Sequence, residues 1–304
     1  MKKKLLVLFV LLGPFLHAQN VTCLSRTKVN STETGGAYHP TVSPTGDYLL
    51  ITGDNYAGLK KYDLATKEVT QLTKTANAGY EPKFTKDGQS IIYRKATLND
   101  RHLRSVSLEQ MNIKDGSKKE IMKASRDFSD FTLQNDIVYM AKANKVAAQK
   151  TTQKKVEKLN YLITIENQQL VLYKGSKRVV LSPNGKDASY IWPSISPDKK
   201  NIVYTVAGKG TFVATIKGKN PVSLGHLGAP KWLGNNHVIG MNDKDNGDYL
   251  VSSTIEVVSI DGQKRQVISD TAEISMYPTA SADGTKVAYN NVKGDIYILK
   301  VSIQ

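Results

Sequence analysis

The chain has 304 residues, 42 Lys and Arg against 27 Asp and Glu for a formal charge of +15, and a single cysteine, Cys23. That length can supply one large core or one closed ring of repeats, and a lone cysteine excludes an internal disulfide, so packing alone must hold the fold. Arg supplies only seven of the basic residues, and a lysine excess spread over the chain lacks the clustered Arg and interleaved aromatics of a nucleic-acid reader, so no nucleic-acid partner is expected.

At the N-terminus Lys2, Lys3 and Lys4 precede an apolar run from Leu5 to Leu12, and the small Ala18 follows just before a cleavage point. Residues 1–19 therefore read as a secretory signal peptide, and the run is too short for a permanent membrane span. The mature chain, 20–304, is expected to be a single exported domain, periplasmic or otherwise outside the cytoplasm, with no transmembrane segment and monomeric. Asn20-Val21-Thr22-Cys23 does not supply the small residues of a lipidation site, which disfavours a lipid anchor.

Beyond the leader, one phrase returns with variation: Tyr38-His39-Pro40-Thr41-Val42-Ser43-Pro44-Thr45-Gly46, Tyr80-Glu81-Pro82-Lys83-Phe84-Thr85-Lys86-Asp87-Gly88, Trp192-Pro193-Ser194-Ile195-Ser196-Pro197-Asp198 and Tyr277-Pro278-Thr279-Ala280-Ser281-Ala282-Asp283-Gly284. Each copy predicts a short strand, a tight turn and a second, apolar strand. Third and fourth strands follow around polar hairpins, as in Leu59 to Leu64 with Glu68 to Thr73, and Val257 to Gly262 with Gln266 to Ile268. A sheet of this size cannot close its own core and must stack on its copies. Weaker copies at Phe128-Ser129-Asp130-Phe131-Thr132 and Ala229-Pro230-Lys231-Trp232-Leu233 bring the expected count to six, with innermost strands starting near residues 40, 82, 129, 193, 230 and 278. The predicted fold is an all-β, six-bladed β-propeller.

The stretch from Lys142 to Lys158 has six lysines, one glutamate and no alternation, and is expected to be a protruding basic insertion within the third repeat. The last repeat ends at Gln304 without a fourth strand, whereas Val21-Thr22-Cys23-Leu24-Ser25 has the form of one. The N-terminal strand is thus expected to close the ring on the last blade, with Cys23 on the outer strand.

The Pro-x-x-Ser-Pro-x-Gly/Asp phrase, with a late strand such as Asp295-Ile296-Tyr297-Ile298, resembles the WD40-like repeat of TolB-type propellers from about Val21 to Val301. TolB-type proteins carry an α/β domain before the repeats, whereas here the ring is expected to begin within a few residues of the leader. The resemblance implies a periplasmic interaction platform with an envelope protein, such as a lipoprotein, as partner. The same repeat also occurs in propellers of peptidases and sugar-processing proteins.

Residues just before the innermost strands should ring one mouth of the central channel: His39, Glu81, Phe128, Trp192, Ala229 and Tyr277, backed by Tyr38, Tyr80, Ile191 and Met276. Such a surface suits gripping a peptide side chain or stacking on a sugar ring; the same side chains would also serve to plug a narrow channel. The chain lacks a Gly-x-Ser-x-Gly elbow and a His-Glu-x-x-His pair. His39 with Glu81 is the sole candidate acid/base pair, and a simple polar contact is the stronger reading. Asn242 to Asp248 gathers oxygens around Gly247 but departs from a calcium-loop pattern and reads as a polar hairpin. The expectation is a non-enzyme without cofactor or metal that binds a protein, with an envelope glycan as the alternative ligand and a hydrolase or lyase working at the mouth as the third.

Overall fold

The computed structural model describes residues 20–29, 36–151 and 158–304; the leader assigned to residues 1–19 lies outside the described residues. Seven antiparallel sheets stand around one axis. Blade 1 is β2 to β5 (Tyr38–Val42, Tyr48–Thr52, Leu59–Asp63, Val69–Thr73), and blade 2 is β6 to β9 (Lys83–Phe84, Ser90–Leu98, Arg104–Asn112, Lys118–Ser125). Blades 3 and 4 have three described strands each, β10 to β12 (Phe128–Gln134, Ile137–Lys142, Lys145–Lys150) and β13 to β15 (Leu162–Glu166, Gln169–Lys174, Lys177–Leu181). Blade 5 is β16 to β19 (Tyr190–Ile195, Asn201–Val206, Gly210–Thr215, Val222–Gly225), and blade 6 is β20 to β23 (Gly228–Leu233, His237–Asp245, Leu250–Ser259, Arg265–Val267). Blade 7 combines β24 to β26 (Ser275–Ala280, Lys286–Asn291, Ile296–Ile303) with β1 (Val21–Val29).

The ring therefore has seven blades, not the six predicted from the repeats. Blade 4 is the one the repeat count misses. It has no copy of the phrase, and its innermost strand runs opposite to its neighbours'. Tyr161, at the foot of β13, accepts a hydrogen bond at 2.7 Å from Gln134, at the far end of β10, while Gln168, just past the other end, accepts one from the amide of Tyr190 where β16 begins. Blades 3 and 4 also turn on two-residue hairpins with both central residues at positive φ, Asn135-Asp136, Ala143-Asn144 and Asn167-Gln168, the geometry that matches the twist of paired strands. Such turns need neither Pro nor Asp-Gly, so the spacing signal disappears.

The basic insertion expected from Lys142 to Lys158 is corrected in the same way. Lys145–Lys150 is strand β12, paired with β11 from Ile137↔Lys150 to Lys142↔Lys145. Its face is mostly exposed, with Val146 alone packed against the core, so it lacks the alternation that marks a half-buried strand. Residues 152–157 lie outside the described residues.

Packing follows the ring. Seven clusters of buried apolar side chains each straddle one blade interface, for example Ile92, Leu108 and Ile121 of blade 2 with Phe131, Val138 and Met140 of blade 3. The four-residue turns after the innermost strands, opened by Ser or Thr and closed by Gly or Lys, share one construction in blades 2 and 5. Thr85 and Ser196 hydroxyls donate to Asp87 and Asp198 at 2.7 Å, and the residues closing these turns, Gly46, Gly88, Lys199 and Gly284, have φ between 62° and 70°. Closure is as predicted: β1 pairs with β26 from Val21↔Ile303 to Val29↔Ile296, and Cys23 is exposed on that outer strand. Among the described residues no helix is long and apolar enough to cross a membrane.

Candidate binding site at the channel mouth

The residue before the proline of each phrase takes a left-handed backbone: φ is 48° at His39 and Glu81, 51° at Trp192, 46° at Ala229 and 53° at Tyr277. In blades 1, 5, 6 and 7 the ladder to the second strand shifts register at this point, so two residues are extruded as a bulge. Proline has no N–H to offer the ladder and suits the bulge. A left-handed conformation is uncommon and strained for large side chains such as Trp and Tyr. Here it turns five successive copies toward the axis, and all five line one cavity of about 330 Å³.

Along one wall of this cavity the rings form a continuous stack. His39 lies between Tyr277, with centroids 4.0 Å apart, and Tyr56, 4.2 Å away, and Tyr56 meets the edge of Tyr80 at 5.1 Å. Tyr56 comes from a short 3-10 turn, Asp54–Tyr56, between the second and third strands of blade 1. It escaped the sequence reading because the phrase does not include that turn. The amide of His39 donates to Asn290 of blade 7 at 3.0 Å, which ties the bulge across the closure interface. Trp192 stands on the opposite side, 46% exposed.

The polar part of the mouth centres on Glu81. Lys231 Nζ donates to Glu81 Oε1 at 2.6 Å, and Lys83 Nζ lies 3.8 Å from Oε2. The two ammonium groups, Lys231 foremost, hold the Glu81 carboxyl well below the usual carboxylate range despite its enclosure. Burial works against the Lys231 charge, but Glu81 more than restores it and its pKa is raised. Burial, helped by the Lys231 charge, lowers His39 to about 4, so the imidazole is neutral at physiological pH. Burial also pushes Tyr56 up to about 12. Behind Glu81 the nearly buried Arg94 pairs with Asp130, donates to the carbonyl of Tyr80 at 2.7 Å and lies 4.8 Å from the Tyr80 ring centroid.

The predicted site residues are thus largely brought together, except Phe128, Tyr38 and Met276, the last of which packs against the core between blades 6 and 7. Phe128 is absent from the cavity wall and packs with the interface of blades 2 and 3, 6.4 Å from Phe131. The register shift of β10 falls between Phe128 and Asp130, so Ser129 and Asp130 face the channel in its place. Tyr38 is paired in the ladder opposite Thr52, behind the wall. The candidate His39–Glu81 pair does not form a hydrogen bond; Glu81 bonds Lys231 instead. Asn242 to Asp248 is the end of the β21–β22 hairpin, where Asp245 and Asn246 accept from turn amides and Asp243 lies 3.0 Å from His226.

A closed propeller with a bulge-built aromatic and ionic mouth is the class of molecule these observations define. Its fold is TolB-like. Among solved structures, TolB from Acinetobacter baumannii is similar with a TM-score of 0.50 at 15% identity, over 77% of this chain and 55% of that one. The tricorn protease is similar with a TM-score of 0.43 at 12% identity, over 84% of this chain and 28% of that one. This chain therefore spans about half the length of the former and under a third of the latter. No family model and no curated protein matches the sequence.

Proposed function

We propose that this chain is an exported, non-catalytic propeller that binds a protein segment at the channel mouth. The observation that carries this reading is the apolar relief around the aromatic wall. β7 and β8 pair out to Leu98↔Arg104, and β21 and β22 out to Asp245↔Leu250, well past the level at which the innermost strands of their blades begin. Both hairpins therefore rise on the mouth side of the ring. Their ends expose Leu98 (65%) and Leu103 on one and Tyr249 (67%) and Val251 on the other. Aromatic rings alone would suit a sugar as well, but exposed aliphatic side chains around a mouth are rewarded by burial against polypeptide.

Among the described residues, Glu81, the carboxylate lining the same cavity as His39, is engaged by lysine, and His39 is neutral and stacked. The test is binding of the folded protein to a displayed peptide library and to an array of envelope oligosaccharides, each repeated with Trp192→Ala and Tyr277→Ala. Peptide binding that weakens about tenfold or more in either variant, as expected for loss of a buried aromatic anchor, supports the reading. Saturable oligosaccharide binding without peptide binding would move it to the glycan alternative. Turnover of a peptide or glycan that is lost in both His39→Ala and Glu81→Ala would make the protein an enzyme.

A further inference from the structure

Hydrogen-bonding capacity left over in the channel is strongly one-sided. Arg94 is consumed by Asp130 and the Tyr80 carbonyl. Lys231 and Lys83 share the single carboxylate of Glu81, and each ammonium carries three donors. Two carboxyl groups, Glu81 and Asp130, thus face three cationic side chains, Lys231, Lys83 and Arg94, in this part of the channel. Further along the axis Trp232 and Ser194 line the next stretch of the channel with Glu81, Lys83 and Lys231, and among the described residues the Trp232 Nε1–H and the Ser194 hydroxyl are buried without a partner. A buried donor without a partner is costly, and indole can only donate. Lys231 and Lys83 therefore stand between the neutral aromatic rings of the mouth and these orphan donors deeper in the channel.

We infer that the mouth recognises a carboxylate on an acidic peptide segment, with Lys231 and Lys83 as its counter-ions and the Tyr277–His39–Tyr56 wall taking the neighbouring apolar side chain. This rests on the protein-binding reading above and narrows its ligand to an Asp or Glu side chain or a free C-terminus next to an apolar or aromatic residue. Glu81 is a stand-in for that carboxylate. It occupies the lysines in the unbound protein, keeps them charged and oriented, and competes with an incoming acid. A neutral or basic segment would meet unpaired ammonium groups and gain nothing from them.

The experiment pans a random heptapeptide display library, with free C-termini, against the intact protein, then measures selected peptides on wild type, Lys231→Met, Lys231→Arg, Glu81→Gln and Tyr277→Ala, with circular dichroism to confirm the fold of each. The expected result is enrichment of Asp, Glu or a terminal carboxylate. Affinity should fall about tenfold or more on Asp→Asn or Glu→Gln in the peptide and on Lys231→Met, be retained in Lys231→Arg, and rise in Glu81→Gln, since the competing carboxylate is gone. A merely structural Glu81–Lys231 pair would give no gain in Glu81→Gln. Peptides that depend on Tyr277 but carry no acid, or that ignore Lys231→Met, would overturn the carboxylate assignment and leave the mouth as a protein site. Failure to select any peptide sensitive to Tyr277→Ala would overturn the assignment and the protein-binding reading together. Should Lys231→Met not fold, the Glu81→Gln gain and the peptide Asp→Asn loss decide the matter.

Discussion

At the residue scale, the mouth depends on side chains held in a conformation they would not adopt alone. His39, Glu81, Trp192 and Tyr277 have left-handed backbones where the chain turns out of the ladder before its proline, and a buried tyrosine sits on the second strand of blades 2, 5 and 7 (Tyr93, Tyr204 or Tyr289). The chemistry of His39 follows from this placement. Enclosed between two tyrosine rings and near Lys231, it has its pKa lowered to about 4. The unfolded chain binds a proton at that position near pH 6.5 and the folded one does not, so stability is undiminished by His39 above that pH and falls as pH drops from about 6.5 toward 4. The ring protons of His39 should titrate near pH 4 by NMR, and His39→Phe should flatten this part of the stability profile. An imidazole titrating at an ordinary value would show that the stack is open to water.

At the scale of elements, β1 decides whether the ring has an edge. Val21 and Val29 are buried, and Arg26 makes the strand a latch: its Nε donates to Tyr289 at 2.9 Å, its two Nη groups pair with Asp270 at 2.7 Å and Glu273 at 3.0 Å, and its guanidinium lies 4.1 Å from the Tyr297 ring centroid. Each exposed ion pair alone contributes little, but one planar group satisfying three partners and a ring gives about 1–2 kcal/mol. Arg26→Ala should lower the unfolding free energy by that amount in urea. Removing Val21 to Leu24 should cost more, at least about 2 kcal/mol from Val21 burial alone, and expose an unpaired β26 edge that promotes association. Unchanged stability in both would contradict the closure role. This closure was legible in the sequence because Val21 to Ser25 repeats the form of Val69 to Thr73, the fourth strand of blade 1. Elements without a phrase were not legible. β12 hides its strand character behind exposed Lys and Ala residues, and β13 enters its blade from the opposite end, so neither proline nor Asp-Gly marks it.

For the whole molecule, the seventh blade leaves the phrase residues grouped at one mouth. Five phrase prolines fall on one side of the ring in blades 1, 2, 5, 6 and 7, and that grouping places His39, Glu81, Trp192 and Tyr277, singled out from spacing alone, around one cavity. Blade 3 shifts by one residue and offers Ser129 where the pattern pointed to Phe128, while blade 4 presents Thr164 and Ile165 from a reversed strand. The mouth is consequently walled by the Tyr277–His39–Tyr56–Tyr80 rings at blades 7, 1 and 2 and by Ser129, Thr164 and Ile165 beside Trp192 at blades 3 to 5. Long-range partners were the least readable feature: nothing in the local sequence joins Glu81 to Lys231, 150 positions away, or places Tyr56 in the stack.

The most direct test of the account places a photo-crosslinking benzophenone amino acid at position 192 in the mouth and, as a control, at position 123 on the exposed outer strand β9, in cells that make the protein. The predicted result is a discrete protein adduct from position 192 that disappears when Tyr277→Ala is introduced into the same chain and is absent from position 123. Equal adducts from both positions, an adduct indifferent to Tyr277→Ala, or an oligosaccharide adduct in place of a protein would contradict a protein-binding mouth.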